Sequence, residues 1–341
     1  MKFVKHGYID IEDSDLANLT VLFGGRGIGK TYSVLKHRIK NSLKDEHQKF
    51  IWMRDSAEVC KKIAAGKSLA NPITENEKDM PIITIEKSES NYSFIANKNS
   101  EDAKVIGYLM ALSTFHNARG INYDDVSVIV WDEFIPEEGT VVKKHQGTIF
   151  MNAYETVNRN RELEGKPPVK IIFLSNTNDI YSDVLEVLGV SGIIEDLMYN
   201  NKKSFRNRDI WIEFLESKEF YEAKKDTFIY RITTDSKFKD MALNNKFTNS
   251  MALIRKKQPL KNAKGLLTVA GTYTLLELPS GALFWKKGRW NNIIDYDMDN
   301  DQEALLFRLL FNDKLRLQYV AGQMYFDSIY TQRRILDYAR I

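Results

Sequence analysis

The octapeptide GGRGIGKT, residues 24–31, has the residue types and spacing that suit phosphate binding. It matches the pattern G-x-x-x-x-G-K-[ST] without mismatch. Glycine allows positive φ and close backbone approach, so successive N–H groups can turn toward phosphate oxygens. Lys30 would then contact the terminal phosphates, and the Thr31 hydroxyl would ligate Mg²⁺. We therefore predict a nucleotide-binding loop that consists of Gly24, Gly25, Arg26, Gly27, Ile28, Gly29, Lys30, Thr31 and Tyr32.

The segments on either side of this loop support the prediction. The apolar run 19–23 indicates a strand before it. Leu35, Ile39 and Leu43 recur every four residues after it, which indicates an amphipathic helix whose N-terminus faces the same anion. The alternative is a glycine-rich turn between strand and helix that binds nothing.

A second motif is VSVIVWDEF, residues 126–134, an apolar run that ends in two acids. Such a run is typical of a strand buried on both faces, and ligands bind at the carboxyl ends of parallel strands. We expect Asp132 to be the partner of the Mg²⁺ that Thr31 holds. Glu133 should point to the other face of the strand end and act as general base toward water. The alternative is a strand capped by solvated acids, but the two motifs together predict an ATPase.

A third apolar segment, 169–179, ends in small polar residues. Ser175 and Asn176 lie where additional-strand ATPases place a residue that senses the γ-phosphate. Serine and asparagine also favour an ordinary turn after a strand, so both interpretations stay open.

Length and composition limit the remaining possibilities. A chain of 341 residues favours two domains. Forty-nine basic and 46 acidic residues leave a net charge of only +3, so local clusters must carry any polyanion binding. Cys60 is the only cysteine, which excludes an internal disulfide and fits a reducing compartment. With no signal peptide and no apolar run near the roughly 20 residues of a membrane span, we expect an intracellular protein without a membrane partner.

The order of predicted elements suggests three segments. Residues 1–197 alternate strands and helices and should form the α/β P-loop NTPase domain. Residues 198–227 contain a basic stretch and should form a linker or lid beyond the sheet. Residues 228–341 contain hairpin signals followed by helices and should form a small α+β domain.

The C-terminal segment offers little that predicts chemistry. Asp295, Asp297 and Asp299 alternate as in a calcium loop, but Asn300 and Leu306 replace the glycine and the bidentate acid that such a loop needs. Acids before a helix N-terminus are the simpler interpretation. Two basic clusters could instead neutralise phosphates without reading bases, although lysine clusters are usually solvated surface: Arg255, Lys256, Lys257, Lys261 and Lys264 form one, and Lys286, Lys287 and Arg289 the other.

Taken together, FGGRGIGKTYSV, FIWMRDSAEV, VIVWDEFI and IIFLSNTND resemble the DNA-packaging ATPases of φ29-like tailed bacteriophages. The resemblance covers nearly the whole chain. It implies an additional-strand (ASCE) ATPase domain of the FtsK/HerA-like and terminase-like group, followed by a vestigial RNase H-like nuclease domain. It further implies ATP and Mg²⁺ as cofactors and a homopentameric ring in the host cytoplasm, transiently at the portal vertex of a prohead. Double-stranded viral DNA, a packaging RNA and the portal would be the partners.

Rings of this kind complete each ATP site with a basic residue of the neighbouring subunit. Arg159, Arg161 and Arg119 are the candidates, and each is equally well interpreted as part of a surface ion pair. Arg159 and Arg161 are two apart on a predicted helix, 147–163, so only one of them can easily enter a given site. We expect Arg26, inside the loop, to couple the nucleotide state to a neighbouring subunit or to the lid.

Other functions remain compatible with the sequence. A packaging terminase would also cut DNA, and substitution of Asp295 or Asp297 would then abolish metal-dependent nicking. The chain could be another ASCE translocase or helicase-like ATPase, or its second domain could serve only to dock RNA or the portal. A nucleotide kinase or small GTPase shares the loop, but the adjacent acids and the lack of an N-K-x-D motif argue against a GTPase.

Overall fold

The computed structural model describes residues 1–66, 69–88, 91–118, 122–135, 145–176, 180–234 and 251–341. The chain divides into two compact units, Met1–Thr248 and Asn249–Ile341. Within the described part, no helix is both long and apolar enough to cross a membrane.

The first unit is built on one large mixed sheet. A separate two-stranded sheet, β1 (Lys2–Phe3) with β2 (Ile9–Asp10), precedes it. The strands of the large sheet are β3 (Leu19–Gly24), β4 (Lys49–Arg54), β5 (Ile83–Lys87), β6 (Tyr92–Ala96), β7 (Lys104–Ala111), β8 (Val126–Asp132), β9 (Lys170–Ser175), β10 (Ser204–Arg206) and β11 (Ile210–Leu215).

The order of these strands across the sheet is β10-β11-β3-β9-β8-β4-β7-β6-β5. The six strands from β11 to β7 run parallel to their neighbours. Antiparallel strands cover both edges, including the predicted hairpin of β5 and β6. β9 lies between β3 and β8, which confirms the additional-strand arrangement expected from the sequence.

Helices lie in the connections between strands and after the last strand, β11. In the first unit they are α1 (Lys30–Lys44), α2 (Ala57–Ala65), α3 (Asn71–Asn76), α4 (Gln146–Asn158), α5 (Asp183–Val187), α6 (Ser191–Tyr199), α7 (Lys218–Lys225) and α8 (Phe228–Ile232). The Ser56 side chain caps α2 by accepting from the Val59 N–H. Cys60 lies on α2 and is buried in the core beside the sheet.

The central strands are buried on both faces, as their continuous apolar sequences predict. Every residue of β3 is buried. Aromatic rings tie β8 to β9: Trp131 meets Phe173 edge-to-face at 5.9 Å, and Phe134 stacks on Phe173 at 4.9 Å. Such pairs add stability beyond the apolar area they bury.

Three expectations from the sequence are wrong at this level. Residues 198–227 are not a linker beyond the sheet, because β10 and β11 complete that sheet next to β3. The segment at 228, expected to begin a strand of the second domain, forms α8 and belongs to the first unit. The helix expected over 147–163 ends at Asn158, and Arg159 has a φ of 47°, which no helix continues.

The second unit is an α+β structure with one five-stranded sheet of order β15-β12-β13-β14-β16. β12, β13 and β14 form an antiparallel meander, and β15 and β16 add to its two edges in parallel. Its elements are β12 (Lys264–Val269), β13 (Tyr273–Glu277), β14 (Leu283–Lys287), β15 (Asp295–Tyr296), α9 (Asp301–Val320), β16 (Met324–Phe326) and α10 (Ile329–Ala339). Asn300 caps α9, so this polar stretch leads into a helix N-terminus as expected.

Close packing between β4 and β7 requires glycine at position 107. A Cβ atom added to Gly107 would lie 2.8 Å from the carbonyl oxygen of Phe50. Backbone must therefore move, and Gly107→Ala should lower the free energy of unfolding by about 1–3 kcal/mol in urea titrations. Gly192→Ala in α6 is the control, because its Cβ would meet no described atom within 4 Å. Equal stability of the two variants would contradict this packing.

Candidate nucleotide-binding site

The predicted loop leaves β3 at Gly24 and enters α1 at Lys30. Gly27 and Gly29 have φ values of 85° and 100°, which side chains with a Cβ rarely adopt. Gly29 is the N-cap of α1 and its carbonyl accepts from the Ser33 N–H at 2.8 Å. The loop therefore has the positive-φ turns and the helix N-terminus that an anion cradle needs.

Lys30 is buried beneath this loop, with 3% of its surface exposed. Its ammonium group donates to the carbonyls of Gly24 at 2.6 Å and Gly25 at 3.1 Å. Burial lowers the pKa of Lys30 to about 7, the charge of Asp132 opposes that shift, and the charge of Lys224 adds to it. Lys30 thus stays fully enclosed by bonding the loop's own backbone.

Thr31 and Asp132 meet across the sheet as the two motifs predict. The Thr31 hydroxyl donates to Asp132 Oδ1 at 3.2 Å, although 101 residues separate them. Asp132 Oδ2 accepts from Arg54 Nη1 at 3.0 Å. Burial raises the pKa of Asp132, and the Arg54 guanidinium opposes that shift. A hydroxyl and a carboxylate at this spacing are the oxygen donors that Mg²⁺ prefers.

Glu133 does not point to the opposite face of the strand from Asp132, as strand alternation led us to expect. β8 ends at Asp132, and Glu133 has a φ of 56°. The change of direction brings its carboxylate back to Arg54, whose Nη2 donates to Oε2. Glu133 Oε1 accepts from Asn176 Nδ2 at 3.2 Å. The next residue, Phe134, is buried in the core.

Asn176, one of the two residues considered for a sensor, donates to Glu133. Ser175 ends β9 and is completely buried. Asn176 follows it and, like Glu133, lines the cavity described below. The structure thus brings the polar end of the third apolar segment, 169–179, to the same edge of the sheet as the glycine loop and the two acids.

Arg54 is the residue of this site that sequence reasoning missed. It ends β4, and β4 is the neighbour of β8 in the sheet. Its guanidinium bonds both acids, and only 13% of its side chain is exposed. A charged residue at the end of the apolar run KFIWMR was the available signal, but its use required knowing which strand lies beside β8.

A cavity of about 670 Å³ adjoins the loop. Gly27, Gly29, Lys30 and Thr31 form its floor, and Glu133 and Asn176 lie at one side. The rest of the wall comes from the N-terminal strands, α1 and α3: Tyr8, Asp10, Tyr32, Lys36, Pro72 and Asn76. Cavities of roughly 300–1,000 Å³ hold small ligands of nucleotide size.

The wall beyond the loop is fixed by ionic contacts. Asp10 accepts from His37 at 2.9 Å and pairs with Lys36 at 2.9 Å, and these partners hold the pKa of Asp10 well below its usual range despite burial. The Tyr32 hydroxyl donates to Glu77 at 3.1 Å, and burial with the nearby Glu77 raises the pKa of Tyr32 to about 12. Tyr32 therefore remains a neutral wall residue at neutral pH.

The residues present fit a magnesium nucleotide. A Cβ at Gly24 would lie 3.1 Å from Leu215 Cβ, and Gly29 has a φ of 100°, so both positions of the loop favour glycine. Residues 24–31 would hold the phosphates, and Thr31 and Asp132 would hold Mg²⁺. The remaining wall would enclose the nucleoside.

Of the three arginines considered for a role in trans, neither Arg159 nor Arg161 lines this cavity. Arg161 Nη1 donates to the Val126 carbonyl and Nη2 to the Asp124 carbonyl at 3.2 Å, at the start of β8 and thus at the opposite end of the strand from Asp132. Arg159 follows α4 and is exposed. Arg119 lies outside the described residues.

The sheet order and the site at its carboxyl edge define the class of this protein. β3 leads into the phosphate loop, β8 ends at Asp132 beside Glu133, and β9, which lies between them, is followed by Asn176. By its fold the chain belongs to the additional-strand class of P-loop NTPases.

The chain belongs to the podovirus DNA encapsidation protein (Gp16) family, whose family profile matches residues 13–276. Two proteins described as DNA packaging proteins are similar in sequence. The one from Bacillus phage B103 is 27% identical over 252 residues, which cover 74% of this chain and 70% of that protein. The one from Bacillus phage phi29 is 26% identical over 253 residues, which cover 74% and 68%.

Two solved structures are similar over 95% of this chain. A chain of the bacteriophage Phi-29 viral genome packaging motor assembly superposes with a TM-score of 0.62 at 20% identity and is covered over 95% of its length. A chain of the Phi-28 gp11 DNA packaging motor superposes with a TM-score of 0.59 at 18% identity and is covered over 94%. At these identities the likeness concerns the fold.

The contributions of Arg54 and Asp132 to the free energy of unfolding should be strongly coupled. Removing either partner leaves the other charge in a site that water barely reaches. We expect a double-mutant cycle with Arg54→Gln and Asp132→Asn to give a coupling of about 1–3 kcal/mol in urea unfolding. The exposed pair Lys203 and Glu216, 2.6 Å apart, is the control and should give at most about 1 kcal/mol. Equal coupling in the two cycles would argue against a buried ionic centre.

Proposed function

We propose that this chain is an ATP-driven motor that moves double-stranded viral DNA into a preformed prohead. The observation that carries the proposal is the meeting of Thr31 and Asp132 beside Glu133, at a loop-bound cavity in a member of a DNA encapsidation family. The names of the similar phage proteins, DNA packaging protein and packaging motor, support the same substrate.

Each residue of the site has a part in hydrolysis that its position suits. Lys30 exchanges the carbonyls of Gly24 and Gly25 for the terminal phosphates. Thr31 and Asp132 would hold Mg²⁺, and the ion would supply neutralisation of charge on the phosphates. Asn176 keeps Glu133 at the cavity side, where the carboxylate can accept a proton from the attacking water.

Glu133 has two partners in the site. Arg54 donates to one carboxylate oxygen and Asn176 to the other. Each oxygen has a further lone pair, so Glu133 can also accept from a water while both bonds stay in place. Arg54 at the same time bonds Asp132, so the two acids share one cation.

The central test is steady-state ATP hydrolysis by the purified chain, with and without double-stranded DNA. Glu133→Gln keeps the shape of the side chain but removes the base, so turnover should fall by about 10²–10⁴-fold while nucleotide binding is retained. Glu86→Gln, which removes the carboxylate of another ion-paired glutamate, should behave as wild type.

The outcomes of this assay separate the parts of the proposal. Turnover that rises with DNA and is lost in Glu133→Gln supports a DNA-driven motor. A rate of ATP hydrolysis that DNA does not change, even with proheads present, would contradict the proposal that the chain is a DNA-driven motor. Full activity of Glu133→Gln would exclude Glu133 as the base.

We further propose that the active form is a homopentameric ring in the host cytoplasm, bound at the portal with a packaging RNA. In such a ring an arginine of one subunit completes the ATP site of the next. Arg159 suits that part better than Arg161, because Arg159 is the more exposed of the two side chains. Arg26 would couple the loop to its surroundings, and Arg26→Ala should spare ATP binding but damage coordinated turnover.

A subunit-mixing experiment tests the arginine. Lys30→Ala subunits should lack nucleotide binding, and Arg159→Ala subunits should lack the residue donated to the neighbour. Each alone should be nearly inactive, but a mixture should recover part of the turnover, because some interfaces combine an intact site with an intact arginine. Arg161→Ala is the comparison, and recovery with that variant in place of Arg159→Ala would reverse the assignment.

The second unit would contact nucleic acid or the portal rather than cut DNA, as a vestigial RNase H-like domain. The meander places its two basic clusters at opposite ends, because Lys264 pairs with Glu277 whereas Lys287 pairs with Tyr273. Asp295 accepts from the Gly271 N–H at 3.1 Å and from Arg289 at 3.0 Å. Metal-dependent nicking abolished by Asp295→Asn or Asp297→Asn would instead favour a cutting terminase.

A further inference from the structure

The helix that follows β11 packs against the phosphate loop. β11 pairs with β3 so that Leu215 lies opposite Gly24, and α7 begins at Lys218. The chain therefore enters α7 at the same edge of the sheet as the loop. A Cβ atom added to Gly27 would lie 3.5 Å from Phe220 Cζ and 3.8 Å from Lys224 Nζ. Gly27 is thus in close contact with α7.

Lys224 makes the polar part of this contact. Its ammonium group donates to the Arg26 carbonyl at 2.5 Å. The same group lies 5.2 Å from the ring centroid of Phe220 and 5.4 Å from that of Tyr230. Cations are attracted to aromatic faces at these distances. The loop, α7 and α8 therefore fix the position of one charged group.

The bond from Lys224 sets the direction of a peptide group in the loop. A trans peptide is planar, and its C=O and N–H point to opposite sides. Because the Arg26 carbonyl points at Lys224, the N–H of Gly27 points away from α7. Gly27 has no Cβ to restrict this peptide, so other orientations are open to it. An external donor on the Arg26 carbonyl selects one of them.

We propose that Lys224 is a positioning residue that holds the Arg26–Gly27 peptide with its N–H turned toward the phosphate-binding side of the loop. Gly27 lines the cavity, as this role requires. Lys224 acts through the loop backbone and not on the nucleotide itself. The proposal deepens the proposed function, since it assumes that the loop binds nucleotide phosphates.

The test compares three variants of the full chain with wild type. Lys224→Met keeps the length of the stem and its packing on Phe220 and Tyr230 but has no donor. Lys224→Arg keeps a charged donor. Lys225→Met is the matched control, because Lys225 is the next residue, is half-exposed and pairs with Glu222 at 2.7 Å.

The first measurement is hydrogen exchange of the nucleotide-free protein, resolved to the peptide that contains residues 24–31. In Lys224→Met these amides should exchange about tenfold faster, because the loop loses a charge-assisted hydrogen bond. Lys225→Met should match wild type, and Lys224→Arg should lie near it. This readout uses no nucleotide, so it stands apart from the outcome of the ATPase assay.

The second measurement is the affinity for the fluorescent nucleotide mant-ADP. Lys224→Met should bind about tenfold more weakly, and Lys225→Met should be unchanged. Unchanged loop exchange in Lys224→Met would overturn the proposal. Unchanged exchange together with weaker binding would also overturn it, because Lys224 would then act on the phosphates directly.

Exchange in β8 and β9 serves as the folding control in the same samples. If those strands keep wild-type protection, faster exchange in the loop is a local effect and supports the proposal. If those strands lose protection in Lys224→Met, the exchange and affinity of Lys224→Arg test the proposal instead. Wild-type loop protection and affinity in that variant would support the positioning role, and loss of both would overturn it.

Discussion

Backbone pairing among β3, β9 and β8 is the constraint on which the site depends. Phe23 lies opposite Ser175, and Leu174 lies opposite Asp132, so the loop, the end of β9 and the acids reach the sheet edge at one level. These strands are buried on both faces, so no apolar-polar alternation can set their register. The contacts of Trp131 and Phe134 with Phe173 favour the observed register instead, since a slip by one residue would break them.

The sequence predicted the local parts of the site well because those parts are contiguous. The glycine loop, the acids and the β5–β6 hairpin each depend on residues within one short segment. The fold class of the first unit could be predicted as well, because the strand, the glycine loop and the helix follow one another in a fixed order along the chain. Asp132 could be matched to Thr31 only because both motifs belong to a known pair.

Non-local contacts account for what the sequence did not predict. Arg54 reaches the acids only because β4 is the neighbour of β8. The spacing of residues along the chain does not predict that these two strands are neighbours. The approach of α7 to the loop joins residues 198 positions apart. The polar, basic stretch before β11 favoured a linker, although β11 itself reads IWIEFL and lies beside β3. Alternation failed at Glu133, since the strand ends one residue earlier than the pattern implies.

In the structure, the charged side chains of the site form hydrogen bonds and ion pairs with other groups of the protein. Two lysines bond three carbonyls of the loop, and one arginine bonds both acids. Binding therefore exchanges one set of polar partners for another, and the net free energy is the difference between them. Charged side chains with such partners can be buried without a ligand, and they can exchange these partners for the groups of a ligand that binds.

The location of the single cysteine has a practical consequence. Cys60 is buried on α2, and burial raises the pKa of its thiol to about 11. At neutral pH the thiol is almost never ionised, and only the thiolate reacts with maleimides. A cysteine placed on the exposed surface of either unit can therefore be labelled alone in the otherwise natural chain. Pairs of dyes introduced in this way would report the distance between the units through each cycle of turnover.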